Sequence, residues 1–339
     1  MSTEMMKAVR VHRYGPPESL VYEDVPKPRA GAGQVLIRNE AAGVNFSDID
    51  QRRNTYPPLQ LSLPHLLGAE VAGTVEAVGE NVTGVAVGDR VFGMFFEPTA
   101  YAQYVVASAD EIYPLPAEVG YAESTALLVQ GLTAYFLLRD GVRLAAGESV
   151  LIMAAAGGLG SLAVQLATIM GARQVIGAAS TEGKRRLVSE LGAHATVDYT
   201  QPDWSTRVLG ATEGRGVDAV LANVGGDAFH QAIACLAPFG RLSSYGGADM
   251  HTPVVDFIAE MKVGRLASNQ TLGFFSLYPY LNGSTAMKTA LGELTDHVKH
   301  NRLRIQLGPQ LPLSQAAEMH RLVEERHTTG KCVLLPWAD

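Results

Sequence analysis

Val150-Leu151-Ile152-Met153-Ala154-Ala155-Ala156-Gly157-Gly158-Leu159-Gly160 is the stretch whose reading decides the fold. An apolar run, read as a buried strand over Ser149–Ala154, passes into Ala154-x-x-Gly157-x-x-Gly160. A helix over Leu159–Met170 follows, with Leu159, Leu162, Ala163, Leu166 and Met170 on the helical period. A dinucleotide diphosphate needs this arrangement. The turn must be tight, the backbone must approach the ligand, and the helix must pack close to the strand. The N–H groups at the helix start then face the anion. Ala154 stands where the commonest fingerprint has glycine. Ala156, Gly157, Gly158 and Leu159 are therefore expected to touch the cofactor.

The alternation continues downstream. Strands are expected at Gln174–Ala178, Ala195–Val197, Asp218–Ala222 and Gly240–Ser244. Helices are expected at Gly183–Leu191, Trp204–Leu209 and Asp227–Leu236. Such alternation predicts a doubly wound parallel sheet covered on both faces. An acidic residue about 20 positions beyond the motif would hold a ribose 2′-hydroxyl. Here the second strand ends Gly177-Ala178-Ala179-Ser180, and Lys184, Arg185 and Arg186 follow. Ser180 and Lys184 suit a 2′-phosphate, so NADPH is expected over NADH, with Glu182 as the counter-signal. A solvated basic helix face is the plain alternative. Tyr199, Asn223 with Gly225 and Gly226, and Ser244-Tyr245-Gly246-Gly247 also fall at strand ends. Ligands bind such sheets at that edge, so Tyr199, Asn223, Ser244, Tyr245 and Gly246 join the expected cofactor contacts.

Before this region the chain reads as short strands and turns. Lys7–His12, Gln34–Asn39, Val71–Val78, Asp89–Phe92 and Tyr101–Val106 are β-rich, with no long amphipathic helix among them. A long helix is expected over Ala122–Arg139. Near the C-terminus, helices are expected at Met287–His300 and Ser314–Glu325, and a strand at Lys331–Leu335.

Composition sets the bounds. A chain of 339 residues suggests about two domains. With 47% hydrophobic residues it can bury a core, so its 35 glycines indicate tight turns and close backbone approaches rather than disorder. A formal charge of −7 argues against binding driven by phosphate neutralisation of nucleic acid. Cys235 and Cys332 are the two cysteines, too few for a disulfide framework or a cysteine-rich zinc site. The N-terminal residues lack a basic segment followed by an apolar one, and no apolar stretch reaches the ~18 residues of a spanning helix. A soluble cytoplasmic protein is expected.

Six segments carry a family resemblance. They are Asn45-Phe46-Ser47-Asp48, Tyr56-Pro57-Pro58, Gly68–Val75, Gln130-Gly131-Leu132-Thr133-Ala134-Tyr135, Ala154–Gly160 and Thr329-Gly330-Lys331. With the two-part layout, they resemble the medium-chain dehydrogenase/reductase superfamily, in its zinc-independent quinone oxidoreductase (zeta-crystallin-like) branch. The resemblance implies an α/β fold, with a GroES-like β-rich catalytic domain and a Rossmann domain. The expected boundaries are 1–126, completed by 274–339, for the first and 127–273 for the second.

Zinc-dependent relatives place a Cys after the Gly-Val strand and a His within Gly-His-Glu. Here those stretches read Gly43-Val44-Asn45 and Gly68-Ala69-Glu70, so no metal is expected. The implied reaction is direct hydride transfer from NADPH, with no flavin, to a quinone or an α,β-unsaturated carbonyl. Such an acceptor is already electrophilic and needs no Lewis acid.

Asn45 and Tyr56 are expected to line the acceptor site, with Thr133 near the nicotinamide carboxamide. Strand-end capping and lid packing are the plain alternatives for Asn45 and Tyr56. Phe274 and Phe275 are expected at the nicotinamide wall, or in a core or subunit contact, and Lys331 among the cofactor contacts. Where many relatives carry Lys, this chain has Gln130. The resemblance also implies a homodimer joined through an edge strand near Gln270–Phe275. Alternatives on the same scaffold are an enone or enoyl-thioester reductase and a non-catalytic, crystallin-like NADPH-binding protein.

Overall fold

The apolar runs of the central region do form parallel strands. In the computed structural model, which describes residues 4–55, 62–246, 257–267, 269–281 and 284–339, they assemble a six-stranded sheet. Its order is Ala195–Val197, Gln174–Ala178, Ser149–Ile152, Val217–Ala222, Leu236–Tyr245 and Thr271–Phe275. All neighbours pair in parallel. This is the doubly wound order, with its reversal beside Ser149–Ile152. Ser149–Ile152 and Val217–Ala222 are buried throughout, as a sheet covered on both faces requires. The helices Gly158–Ile169, Glu182–Glu190, Trp204–Ala211 and Gly226–Ala234 supply the cover. Gly177 lets one of them approach, because a Cβ there would overlap Val188 and meet Ala155 Cβ at 3.1 Å.

The chain divides into two compact units. The sheet belongs to Gly131–Pro279 with Asn301–Arg304; the other unit is Met1–Gln130, Tyr280–His300 and Ile305–Asp339. Among its described residues the latter holds a seven-stranded sheet. Its path is Leu307–Pro312, Lys331–Leu335, Gln34–Val44, Glu70–Val78, Arg90–Met94 and Ile112–Pro114, and Tyr104–Ser108 also pairs with Gln34–Val44. A smaller three-stranded sheet joins Leu20–Pro26, Met5–Val11 and His65–Leu66. Val9, Ile37, Val71, Tyr101, Met319 and Leu334 are part of the core.

Two expectations change here. The β-rich part contains a helix, Phe46–Arg53, that has no apolar stripe to announce it. The expected helix Ala122–Arg139 is segmented: the α-helical pieces Tyr121–Thr125 and Leu132–Phe136 are each followed by a π-helical turn, Leu127–Gly131 and Leu137–Gly141. Widened turns of this kind gather at functional sites.

Candidate active site

In the β-rich unit the strand Gln34–Val44 lies between Glu70–Val78 and Lys331–Leu335, antiparallel to both. The register sets Gly43 opposite Glu70 and Val44 opposite Cys332. Glu70 and Lys331 thus start on opposite sides of the middle strand. They meet over Gly43, where a Cβ would overlap the Glu70 carboxylate and meet Lys331 Nζ at 2.9 Å. Both are fully buried and ion-paired. Burying two charges is costly unless their other hydrogen-bonding capacity is also filled. It is filled here. Glu70 Oε1 accepts the Val129 N–H of the π turn at 2.7 Å, and Glu70 Oε2 accepts Asn45 Nδ2 at 2.9 Å. Lys331 Nζ donates to Asn45 Oδ1 at 3.2 Å and to the Val44 carbonyl at 3.4 Å.

Asn45 is the centre of this arrangement. Its Oδ1 also accepts Gln130 Nε2 at 3.1 Å. Two donors therefore fix the carbonyl side of the amide and Glu70 fixes the other, so its orientation is determined. One Nδ2 hydrogen has no partner among the described residues. Gln130 Oε1 is buried and also lacks one. Lys331, expected to contact the cofactor, has its ammonium engaged with Glu70, Asn45 and Val44.

A second set of contacts reaches Asn45 through its backbone. Asp48, three residues on, accepts the Asn45 N–H at 2.9 Å and anchors the start of the helix Phe46–Arg53. Asp48 Oδ2 also accepts from Tyr101 Oη at 3.2 Å, and Tyr101 Oη lies 3.0 Å from His320 Nε2. His320 Nδ1 is 3.4 Å from Arg52 Nη1, and Arg52 is ion-paired with Glu324. Asp48, Tyr101, His320 and Arg52 are buried. Burial pushes the Asp48 carboxyl up to about 7, with the Glu70 charge adding to it and the Asn45 N–H opposing. Burial, with Arg52 and Arg53, pushes His320 down to about 3. Asp48 and Glu70 lie in segments legible in the sequence but without an expected role, and nothing in the sequence marks Tyr101, His320 or Arg52. The Asn45–Asp48 spacing, an N-cap followed at N3 by an acid, was the available signal.

In the other unit the glycine turn leaves the strand Ser149–Ile152 at the reversal point of the sheet. Ala154 takes a left-handed φ of 48°, a conformation that costs a residue with a Cβ about 1–2 kcal/mol. Gly160 packs so close that a Cβ would overlap the Ala154 carbonyl and meet Ala155 Cα at 2.7 Å. Gly157 is the N-cap of the helix Gly158–Ile169 and offers no side chain to its first N–H groups, which leaves that end open to an anion. Ala156 is buried, and Gly158 and Leu159 are half-buried.

The remaining strand ends are polar. Asn223 Oδ1 and Tyr245 Oη are buried without partners among the described residues, one just past Val217–Ala222 and the other closing Leu236–Tyr245. Burial raises the Tyr245 phenol above its ordinary value. Ser180 and Ser244 are half-buried, Gly246 is exposed, and Tyr199 packs against the core. Lys184 lies in the first turn of Glu182–Glu190, capped by Thr181. Arg185 is turned away to the Ala179 carbonyl and to Asp198, at 3.2 and 2.9 Å. Thr133 is half-buried in Leu132–Phe136. Phe275 is buried beside Gly141, whereas Phe274 is 71% exposed on the edge strand. Tyr56 and Gly247 lie outside the described residues.

Comparison with known proteins agrees with both halves. Residues 31–117 match the alcohol dehydrogenase GroES-like domain, and residues 158–291 match the family described as zinc-binding dehydrogenase. A quinone oxidoreductase of Pseudomonas aeruginosa is 35% identical over 333 residues, 98% of this chain and 100% of the relative. A 2-haloacrylate reductase of Burkholderia sp. is 34% identical, covering 98% and 100%. The Escherichia coli quinone oxidoreductase complexed with NADPH superposes with a TM-score of 0.89 at 28% identity, covering 97% of this chain and 100% of that one. The chain belongs to the medium-chain dehydrogenase/reductase superfamily, in its quinone oxidoreductase branch.

Proposed function

We propose that this protein is an NADPH-dependent, zinc-independent oxidoreductase that reduces quinones or similarly electron-poor acceptors. The observation that carries this reading is Asn45, a neutral amide held by Glu70, Lys331 and Gln130 where zinc-dependent relatives place a thiolate ligand. Zinc does not fit the donor set. Asn45 and Ala69 replace its ligands, and the Glu70 carboxylate is already paired with an ammonium. Among the described residues no group of three His, Cys, Asp or Glu side chains is placed to hold a metal.

The dinucleotide fits the other unit: the close approach at Gly160, the open helix start and the Asn223 and Tyr245 atoms, which lack partners among the described residues, all favour a ligand there. Ala156–Leu159 and the Gly246 loop would hold it, with Ser180 and Lys184 on the 2′-phosphate and Thr133 on the carboxamide side. Bound NADPH supplies the hydride. Asn45 would donate its remaining Nδ2 hydrogen to the acceptor oxygen, where negative charge develops. Lys331, by donating to the far side of the same amide, polarises it and strengthens that donor. Solvent supplies the proton. The similarity to a 2-haloacrylate reductase favours activated alkenes as a second acceptor class.

The cofactor assignment is tested with Lys184→Ala. The apparent Michaelis constant for NADPH should rise about tenfold, the loss of one phosphate contact of ~1.4 kcal/mol, while that for NADH stays unchanged. Equal use of both cofactors by the unaltered protein contradicts the assignment.

Among the described residues Thr271–Phe275 ends the sheet with Phe274 exposed on it, which supports a homodimer joined there. Phe274→Lys should sediment as a monomer where the unaltered chain sediments as a dimer. Two reduced, buried cysteines fit a cytoplasmic protein.

A further inference from the structure

We propose that the buried chain Arg52–His320–Tyr101–Asp48 is a one-directional hydrogen-bond relay that positions Asn45. The proposal rests on the reading of Asn45 as the group that holds the acceptor.

The direction follows from the inventory of donors. A guanidinium can only donate, so His320 Nδ1, facing Arg52 Nη1, must accept. His320 is neutral, its pKa lowered by burial and by Arg52 and Arg53, so its single hydrogen is on Nε2. That hydrogen points to Tyr101 Oη at 3.0 Å. The Tyr101 hydroxyl hydrogen is then released to Asp48 Oδ2 at 3.2 Å, the atom that also accepts the Asn45 backbone N–H at 2.9 Å. The guanidinium and the imidazole each allow only one orientation, and with the Asp48 carboxylate accepting at Oδ2 every donor points towards it.

The geometry is also selective. The four side chains come from the helix Phe46–Arg53, the Tyr101 segment and the helix Ala316–Glu324, and all are buried. The Tyr101 and His320 rings meet edge-on, with centroids 5.8 Å apart. Gly68 leaves room for the Tyr101 ring, since a Cβ there would overlap it. Among the described residues Asp48 Oδ1 has no partner, so they hold the carboxyl through one oxygen only. Losing the Tyr101 hydroxyl leaves that oxygen with the Asn45 N–H alone, and the backbone that presents the Asn45 amide becomes free to shift.

His320 is therefore a positioning residue that touches neither cofactor nor acceptor. Gln accepts at one end and donates at the other, as the neutral imidazole does; Leu does neither. His320→Leu should lower kcat for quinone reduction at least tenfold, with the NADPH Michaelis constant within twofold. His320→Gln should recover most of kcat. Tyr101→Phe, which removes only the hydroxyl, should resemble His320→Leu.

Amide hydrogen exchange over Phe46–Arg53 gives a readout independent of turnover. Protection should fall in His320→Leu and Tyr101→Phe and be retained in His320→Gln. Unchanged protection in Tyr101→Phe, or equal losses in the Gln and Leu variants of His320, would overturn the proposal. If the unaltered protein turns over no quinone, the functional reading fails, and the exchange pattern still decides whether the relay positions Asn45.

Discussion

Lys331→Met is expected to destabilise the β-rich unit by about 3–5 kcal/mol, because it leaves the fully buried Glu70 carboxylate without its cation. At the usual scaling for a protein unit of this size, the thermal midpoint should fall by on the order of 10 °C. The loss belongs to the orphaned charge rather than to the intrinsic worth of the pair. Adding Glu70→Gln should therefore recover much of it, and the two changes should be strongly non-additive. Activity should not return with stability, since the amide of Asn45 loses both the ammonium at Oδ1 and the carboxylate at Nδ2. Thermal unfolding of the two single variants and the double variant measures this. Additive losses would show that Glu70 and Lys331 do not act as a unit.

Gly160→Val carries the second large effect. Its Cβ would overlap the Ala154 carbonyl, and both the strand end and the helix start are backbone that cannot swing aside. The helix must move off the strand, and the turn that presents Gly157 and Gly158 moves with it. NADPH affinity should fall at least a hundredfold, about 2.8 kcal/mol, as read by fluorescence titration. Gly292→Ala is the matched control. It lies within the helix Thr285–Lys299, where an added Cβ meets nothing within 4 Å. That change should leave binding intact and raise stability by roughly 0.4–1 kcal/mol, since alanine restricts the unfolded chain. A Gly160→Val protein that binds NADPH normally would remove the glycine turn from the site.

The parallel sheet was legible because its strands are continuous apolar runs and its helices keep the 3.6 period. Gln174–Ala178, Ala195–Val197 and Lys331–Leu335 have the bounds expected of them. Periodicity is silent about the π turns, since apolar residues continue through Leu127–Gly131 and into Leu137–Gly141 with no break to mark them. The helix Phe46–Arg53 escaped for the opposite reason. Its Asp48, Asp50, Gln51 and Arg52 look solvent-exposed by type, yet all four are buried. What buries Asp48 and Arg52 is pairing with residues far away in the chain, such as Tyr101, His320 and Glu324. A linear reading carries no record of those partners.

The same limit explains Lys331. The segment Thr329-Gly330-Lys331 carries part of the family resemblance, which set Lys331 among the expected cofactor contacts. Only the register of three strands, with Gly43 between Glu70 and Lys331, reveals that the ammonium is turned inward. Asn45 was identified, but the reason it is held so firmly was not.

Hydride transfer from NADPH without a metal is the step on which the proposed function depends. The most direct test is NADPH absorbance during turnover of a quinone by protein stripped with a chelator and verified metal-free by mass spectrometry. Full activity is expected in the stripped protein, with a slower rate when NADPH is deuterated at the transferred position. Activity that disappears on stripping and returns with zinc would contradict it.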